Sequence, residues 1–224
     1  MSPLALLGLA AFSFVATHFI MSHPLRAPLV ARLGERGFAI AYTVVAFVTL
    51  GWTIWAFGRV PAEAPLWVAG DAMWLVASLL MWLGSILFIG SLRRNPALPR
   101  PGKMIERIDD PRGVYAITRH PMMWGFALWA LVHAIVDATP ASLILTAAIA
   151  FLALVGAGFQ DSKKARLMGP AWDDWRARTS FAPFVRGADN PGMFALVGGT
   201  ILFFAATWAH QPYGAAAGLW RWFG

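Results

Sequence analysis

Five histidines, His18, His23, His120, His133 and His210, carry most of the chemistry open to this chain. Imidazole ligates metals and haem iron and moves protons near neutral pH. There is no cysteine, which removes thiolate zinc sites, iron–sulfur clusters, covalently attached c-type haem, disulfides and a thiol nucleophile. A metal or a haem would have to be held by histidine, carboxylate, Met or Tyr. The sequence shows no serine nucleophile motif, no paired buried carboxylates, no glycine-rich phosphate loop and no metal-spaced His/Glu cluster. Its acidic residues fall in loops or at the ends of apolar runs, which speaks against an ion pump built on an intramembrane carboxylate.

His133 is the most informative of the five. It lies inside an apolar run, and Trp129, Phe126 and Met122 precede it at i−4, i−7 and i−11, on one helical face. An imidazole over an aromatic, Met-lined face suits a buried flat ligand such as haem, with nitrogen as axial donor. The plainer alternative is a histidine hydrogen-bonded to a neighbouring helix. His18, in Ala16-Thr17-His18-Phe19, is either a ligand or a histidine at headgroup level, and His23 and His210 sit where apolar runs end. His120 belongs to Thr118-Arg119-His120-Pro121, in which Thr118 caps a helix carrying Pro121 in its first turn. A helix start flanked by Arg119 and His120 is a natural anion site; the plainer reading is a capped helix meeting headgroups. His120 and His133 stand about 20 Å apart along one helix and on opposite sides of it, so they cannot serve one small site.

The elements that position these residues are read from composition. Of 224 residues, 58% are hydrophobic and 13% charged, with a mean hydropathy of +0.60. A soluble domain carries roughly a quarter charged residues. The chain is therefore read as one transmembrane domain over 1–224, an all-α polytopic bundle of about six helices. Runs near the roughly 20 residues needed to span fall at about 3–22, 38–58, 71–92, 121–137, 141–160 and 193–210. The first run lacks a basic leader and is kept as a span. Asp137 to Pro140 reads as a tight turn, with Pro140 opening the next helix. The glycines of Gly156-Ala157-Gly158 and Gly198-Gly199 read as close helix packing.

Charge agrees with hydropathy. Of the 18 basic residues, 16 lie in the connections 23–37, 93–120 and 161–191, which share one face of a six-span bundle. The positive-inside rule makes that face cytoplasmic and puts both termini outside. The net charge of +7 is thus a matter of topology and anionic headgroups, and nucleic acid is excluded as a partner. Several of the 12 Trp, among them Trp67, Trp124, Trp208, Trp220 and Trp222, fall near span ends, where interfacial indoles belong.

The run Gly113-Val114-Tyr115-Ala116-Ile117-Thr118-Arg119-His120-Pro121, with Trp124-Gly125 and Trp129-Ala130-Leu131-Val132-His133, resembles the core of the NnrU family. That family includes the plant and cyanobacterial 15-cis-zeta-carotene isomerases. Further matches are His18, Leu25-Arg26, Gly34-Glu35-Arg36, Asp161, Gly169, Trp172, Arg178-Thr179-Ser180, Pro183-Phe184 and Ala209-His210, so the resemblance covers nearly the whole chain. It implies a multi-pass protein of the bacterial inner membrane that binds haem b, with His18 and His133 as the iron ligands. Trp129 and Phe126 would line the haem, Arg119 or Arg26 would pair with its propionates, and a hydrophobic small molecule would be its substrate. The implied activity is haem-dependent isomerisation of a polyene, or a role in nitrite and nitric oxide reduction, as an enzyme or as an accessory protein for denitrification. Two departures stand out: Ala130 occupies the place of a cysteine in the isomerases, and the alignment after His18 needs a one-residue shift that leaves His23 as a second choice. By depth, His18 pairs with His120 and His133 with His210. Arg119-His120-Pro121 followed by Gly125 also resembles membrane methyltransferases of the isoprenylcysteine carboxyl methyltransferase type, which would make His120 and Arg119 contacts of S-adenosylmethionine.

Overall fold

The structure, a computed structural model, describes residues 1–96, 108–187, 189–214 and 216–223, and every regular element among them is helical. Arg100, Lys103 and Arg107 of the second basic connection lie outside the described residues. The order is α1 (Pro3–Ser22), α2 (Arg26–Phe57), α3 (Asp71–Ser91), a single turn α4 (Val114–Ile117), α5 (Pro121–Val136), α6 (Pro140–Met168), α7 (Pro170–Arg178), α8 (Met193–Trp208) and a last turn α9 (Trp220–Phe223). Four of these, α1, α2, α3 and α6, are long and apolar enough to cross a membrane. The apolar helices α5 and α8 have 16 residues each. Each rises about 24 Å, short of a hydrocarbon core about 30 Å thick. The reading of about six spans, the fourth the shortest, thus resolves into four full-length helices and two short ones.

Helix ends follow local chemistry. Ser2 caps α1 by accepting from the N–H of Ala5 at 3.2 Å. Pro140 opens α6 as expected, where Thr139 Oγ1 accepts from the Ser142 N–H at 3.3 Å and the Ser142 hydroxyl donates to Asp137. Two boundaries differ from the hydropathy reading. α2 starts at Arg26 rather than near residue 38 and turns at Gly34, whose φ of 69° and ψ of 171° lie in territory essentially reserved for glycine. α6 continues past residue 160 to Met168, because leaving an apolar environment does not end a helix whose backbone bonds are already internal.

The chain forms two compact units, Met1–Val68 with Asp137–Leu152, and Ala69–Val136 with Ala153–Gly224. In the first, α1 packs along α2. Its centre is small: Leu7, Ala10, Ala56 and Ala141, with Leu4, Trp52 and Ile144 around them. In the second, α3 packs against both α5 and α8. A Cβ on Gly125 would stand 3.0 Å from the Gly84 carbonyl oxygen, and one on Gly199 would stand 2.5 Å from Ile86 Cα. These contacts bear out the close-packing reading for Gly199, whereas a Cβ on Gly158 would meet nothing within 4 Å. The core of this unit gathers Leu87, Val114, Tyr115, Ile117, Trp172 and Trp175. Trp172 and Trp175 are buried inside it, away from any interfacial belt, while Trp67, Trp208 and Trp222 are exposed.

Outward-facing side chains are large and apolar, including Phe12, Phe47, Val48, Leu79 and Ile201, while many buried positions are alanine. Water would penalise that arrangement and hydrocarbon does not. The protein is a membrane-embedded helical protein in contact with lipid.

Candidate functional site

The Thr118-Arg119-His120-Pro121 segment is held by the loop that follows α7. Arg119 N–H donates to the Ser180 carbonyl at 2.9 Å, Phe184 N–H to the Ile117 carbonyl at 3.1 Å, and the Thr118 hydroxyl to the Phe181 carbonyl at 2.5 Å. Trp124 Nε1 donates to the same Phe181 oxygen at 2.9 Å. Thr118 Oγ1 in turn accepts from the His120 N–H at 3.2 Å, closing a turn ahead of α5. Because α5 begins only at Pro121, Thr118 precedes that helix instead of capping it as its sequence position suggested, and its own N–H closes α4 on the Val114 carbonyl.

Arg119 and His120 converge on one carboxylate, Asp161 of α6. Arg119 Nε reaches Oδ2 at 2.9 Å and Nη2 reaches it at 2.6 Å, and His120 Nε2 donates to Oδ1 at 2.9 Å. His120 Nδ1 faces Gln160 Oε1 at 3.2 Å, and the ring packs edge-on against Phe181 at 5.2 Å. The side chains of Arg119, His120 and Asp161 are 10%, 0% and 9% exposed, so the charges are matched inside the protein. A bidentate pair at this depth fixes α5 against α6 in one register. The anion this helix start attracts is the protein's own, and neither His120 nor Arg119 presents a nitrogen to a soluble cofactor. Arg26 is likewise committed, to Glu35 at 2.9 Å.

Sequence reasoning missed Asp161 as a buried partner. Its position was the available signal: it ends an apolar run at the depth where Arg119 and His120 begin another.

At the far end of α5, His133 Nδ1 donates to the Trp129 carbonyl at 2.8 Å and the imidazole stacks on the Trp129 indole, centroids 4.1 Å apart and planes 28° apart. The His210 ring, just beyond α8, lies 6.2 Å from that of His133, and its Nδ1 donates to the Ala206 carbonyl at 2.7 Å. The expected aromatic face is thus present at Trp129, whereas Phe126 sits edge-on to Phe88 of α3 at 5.4 Å. His18, in the other unit, follows the same rule: Nδ1 donates to the Phe14 carbonyl at 2.7 Å, and the ring packs edge-on to Phe14 and Tyr42. His23 Nδ1 is bonded to the neighbouring Ser22 hydroxyl at 2.8 Å. In His18, His133 and His210 a carbonyl one turn back fixes the tautomer and the ring direction, so Nε2 is the nitrogen through which a metal would be bound. Among the described residues no cluster of three or more His, Asp or Glu with metal-site geometry occurs.

Comparison with known proteins supplies one match. No curated protein and no solved structure matches the chain. A family described as NnrU protein matches residues 6–217, which contain the buried Arg119–His120–Asp161 clamp and all five histidines. A match over nearly the whole length decides the question: the chain belongs to the NnrU family.

Proposed function

We propose that this protein binds haem b through transmembrane histidines, with His133 as one axial ligand. The observation that carries the reading is the preparation of His133: an imidazole in an apolar helix, stacked on Trp129, with Nδ1 tied to the carbonyl one turn back. The family resemblance supplies His18 as the second ligand, and His18 is oriented by the same backbone bond. The separation of 6.2 Å between the His133 and His210 rings favours His210 as the alternative. Either histidine would offer Nε2 to the iron, since Nδ1 of each is bonded to a carbonyl one turn back. Bound haem would supply iron redox chemistry, with polyene isomerisation or nitrite and nitric oxide reduction as the activities the family suggests. The protein's part is to orient the imidazoles and keep water from them. Arg119 and Arg26 already have carboxylate partners, so propionates would have to find other cations. The bacterial inner membrane, with the basic connections on the cytoplasmic face, is the location this reading adopts.

The test is the visible spectrum, oxidised and reduced, of the full chain purified in mild detergent after expression with haem supply. One b-type haem per chain is expected, lost in His133→Ala and kept in His120→Ala. Comparing His18→Ala with His210→Ala then identifies the second ligand by which variant loses the low-spin bands. A colourless wild-type protein overturns the reading. Binding of S-adenosylmethionine by such a protein would support the methyltransferase alternative, and binding of neither cofactor the accessory one.

A further inference from the structure

In the second unit, the end of α3, the turn before α4 and the start of α8 border an open pocket of about 310 Å³. Of its lining, Val114 and Ala195 are buried and form an apolar floor, while Phe194 and three arginines, Arg93, Arg94 and Arg112, are exposed around it. Carboxylates face Arg26, Arg119, Arg176, Arg178 and Arg221. Among the described residues the three rim arginines have no such partner and no acidic residue lines the cavity. Three unpaired guanidiniums around one hollow repel one another, and an anion in the hollow relieves that.

The frame around them is built rather than loose. The Arg93 guanidinium lies over the Phe194 ring, 4.7 Å from its centroid. Arg94 holds a φ of 52°, a left-handed conformation unfavourable for a long side chain that carries it to the rim instead of extending α3. Gly113 takes a φ of 63°, and a Cβ there would stand 3.0 Å from the Pro191 carbonyl oxygen, so only glycine lets the chain carry Arg112 past that wall. Below, the Tyr115 hydroxyl donates to the Ser91 carbonyl at 3.0 Å and α3 meets α4 so closely that Gly90 has no room for a side chain.

We infer that this cavity is a binding site for a phosphate ester, with Arg93, Arg94 and Arg112 holding the phosphate and the apolar floor taking the alcohol portion. Guanidinium forks match phosphate oxygens bidentately. The volume, near the lower end of the roughly 300–1,000 Å³ of small-ligand sites, admits a phosphate and a glycerol-sized group. Such a group is offered both by an anionic phospholipid headgroup and by a small soluble phosphate ester. The site is separate from the haem reading and does not depend on it.

The experiment uses the full chain in mild detergent with two probes. Glycerol 3-phosphate, titrated by calorimetry, represents the soluble source. Phosphatidylglycerol, added in mixed micelles and read by native mass spectrometry against phosphatidylcholine, represents the lipid source. Saturable one-to-one binding of either probe is expected, weakened about tenfold or more for each arginine replaced in Arg94→Gln and Arg112→Gln. The double variant Arg166→Gln/Arg186→Gln removes the same charge elsewhere and should leave the affinity unchanged. Binding of neither probe by a folded wild-type protein overturns the proposal. So does equal weakening in the control double variant, which would mean general attraction to a basic face. Among the described residues the rim arginines make no internal ion pair, so an unchanged melting temperature is expected and shows that the loss is local.

Discussion

Asp161→Asn isolates what the buried clamp contributes. The carboxylate accepts from Arg119 through Nε and Nη2 at 2.9 and 2.6 Å and from His120 Nε2 at 2.9 Å. With charge centres about 4 Å apart and an effective dielectric near 20, the attraction to Arg119 is about 4 kcal/mol. Asparagine keeps the shape and one acceptor but turns an N–H toward a guanidinium, and it leaves Arg119, only 10% exposed, charged and unmatched. Removing one partner of a buried pair costs about 3–5 kcal/mol. The expected loss is about 3 kcal/mol, because Asn retains part of the hydrogen bonding. Unfolding in mixed micelles titrated with SDS measures it. The cycle closes with Arg119→Met and the double variant Arg119→Met/Asp161→Asn, which should be more stable than the sum of the single losses by about 2 kcal/mol. A single-variant loss below about 0.5 kcal/mol, in the range of an exposed pair, would refute the claim that this clamp is buried and matched.

Three further expectations follow from particular contacts. Gly199→Ala places a Cβ 2.5 Å from Ile86 Cα, so α8 must move off α3, and the fraction of monodisperse protein in size-exclusion chromatography should fall sharply while Gly158→Ala leaves it unchanged. Gly34→Ala forces an alanine to a φ of 69° and ψ of 171°, at a cost of about 1–3 kcal/mol by the same SDS titration. Trp129→Ala removes the indole stacked on His133 without removing the carbonyl that orients it. Haem should remain bound in that variant, with broadened reduced bands and faster loss to apomyoglobin.

The sequence made most of the fold legible because hydrophobic runs report where a helix meets lipid. The starts of α1, α3, α5 and α6 fall within one residue of the hydropathy reading, and Pro121 and Pro140 mark two of them directly. What hydropathy does not report is a helix that continues into water. The N-terminal third of α2, with Arg26, Arg32, Glu35 and Arg36, and all of α7 are helical stretches with polar surfaces, and the basic connections hid both. The same blindness concealed Asp161: a charge at the end of an apolar run reads as the membrane boundary, whereas here it is the centre of a buried cluster. Only a partner count would have revealed it, since Arg119 and His120 needed an anion and this one lay at matching depth.

If His133 holds haem as proposed, α5 separates two tasks by distance alone. At its start, Arg119 and His120 are consumed by Asp161, with a histidine side chain that is 0% exposed and no atom to offer a ligand. Thirteen residues later, about 20 Å along the axis, His133 is oriented by the Trp129 carbonyl and its ring lies 6.2 Å from that of His210, which is oriented by the Ala206 carbonyl. Stability and chemistry therefore need not compete for the same residues. A change at Asp161 should alter unfolding and leave the spectrum of folded protein as it was. A change at His133 should do the reverse, because its Nδ1 bonds a carbonyl of its own helix. Measuring both properties on both variants distinguishes this division from a single cooperative site: a folded Asp161→Asn protein without haem, in preparations where wild type is loaded, would show that the two ends of α5 act as one.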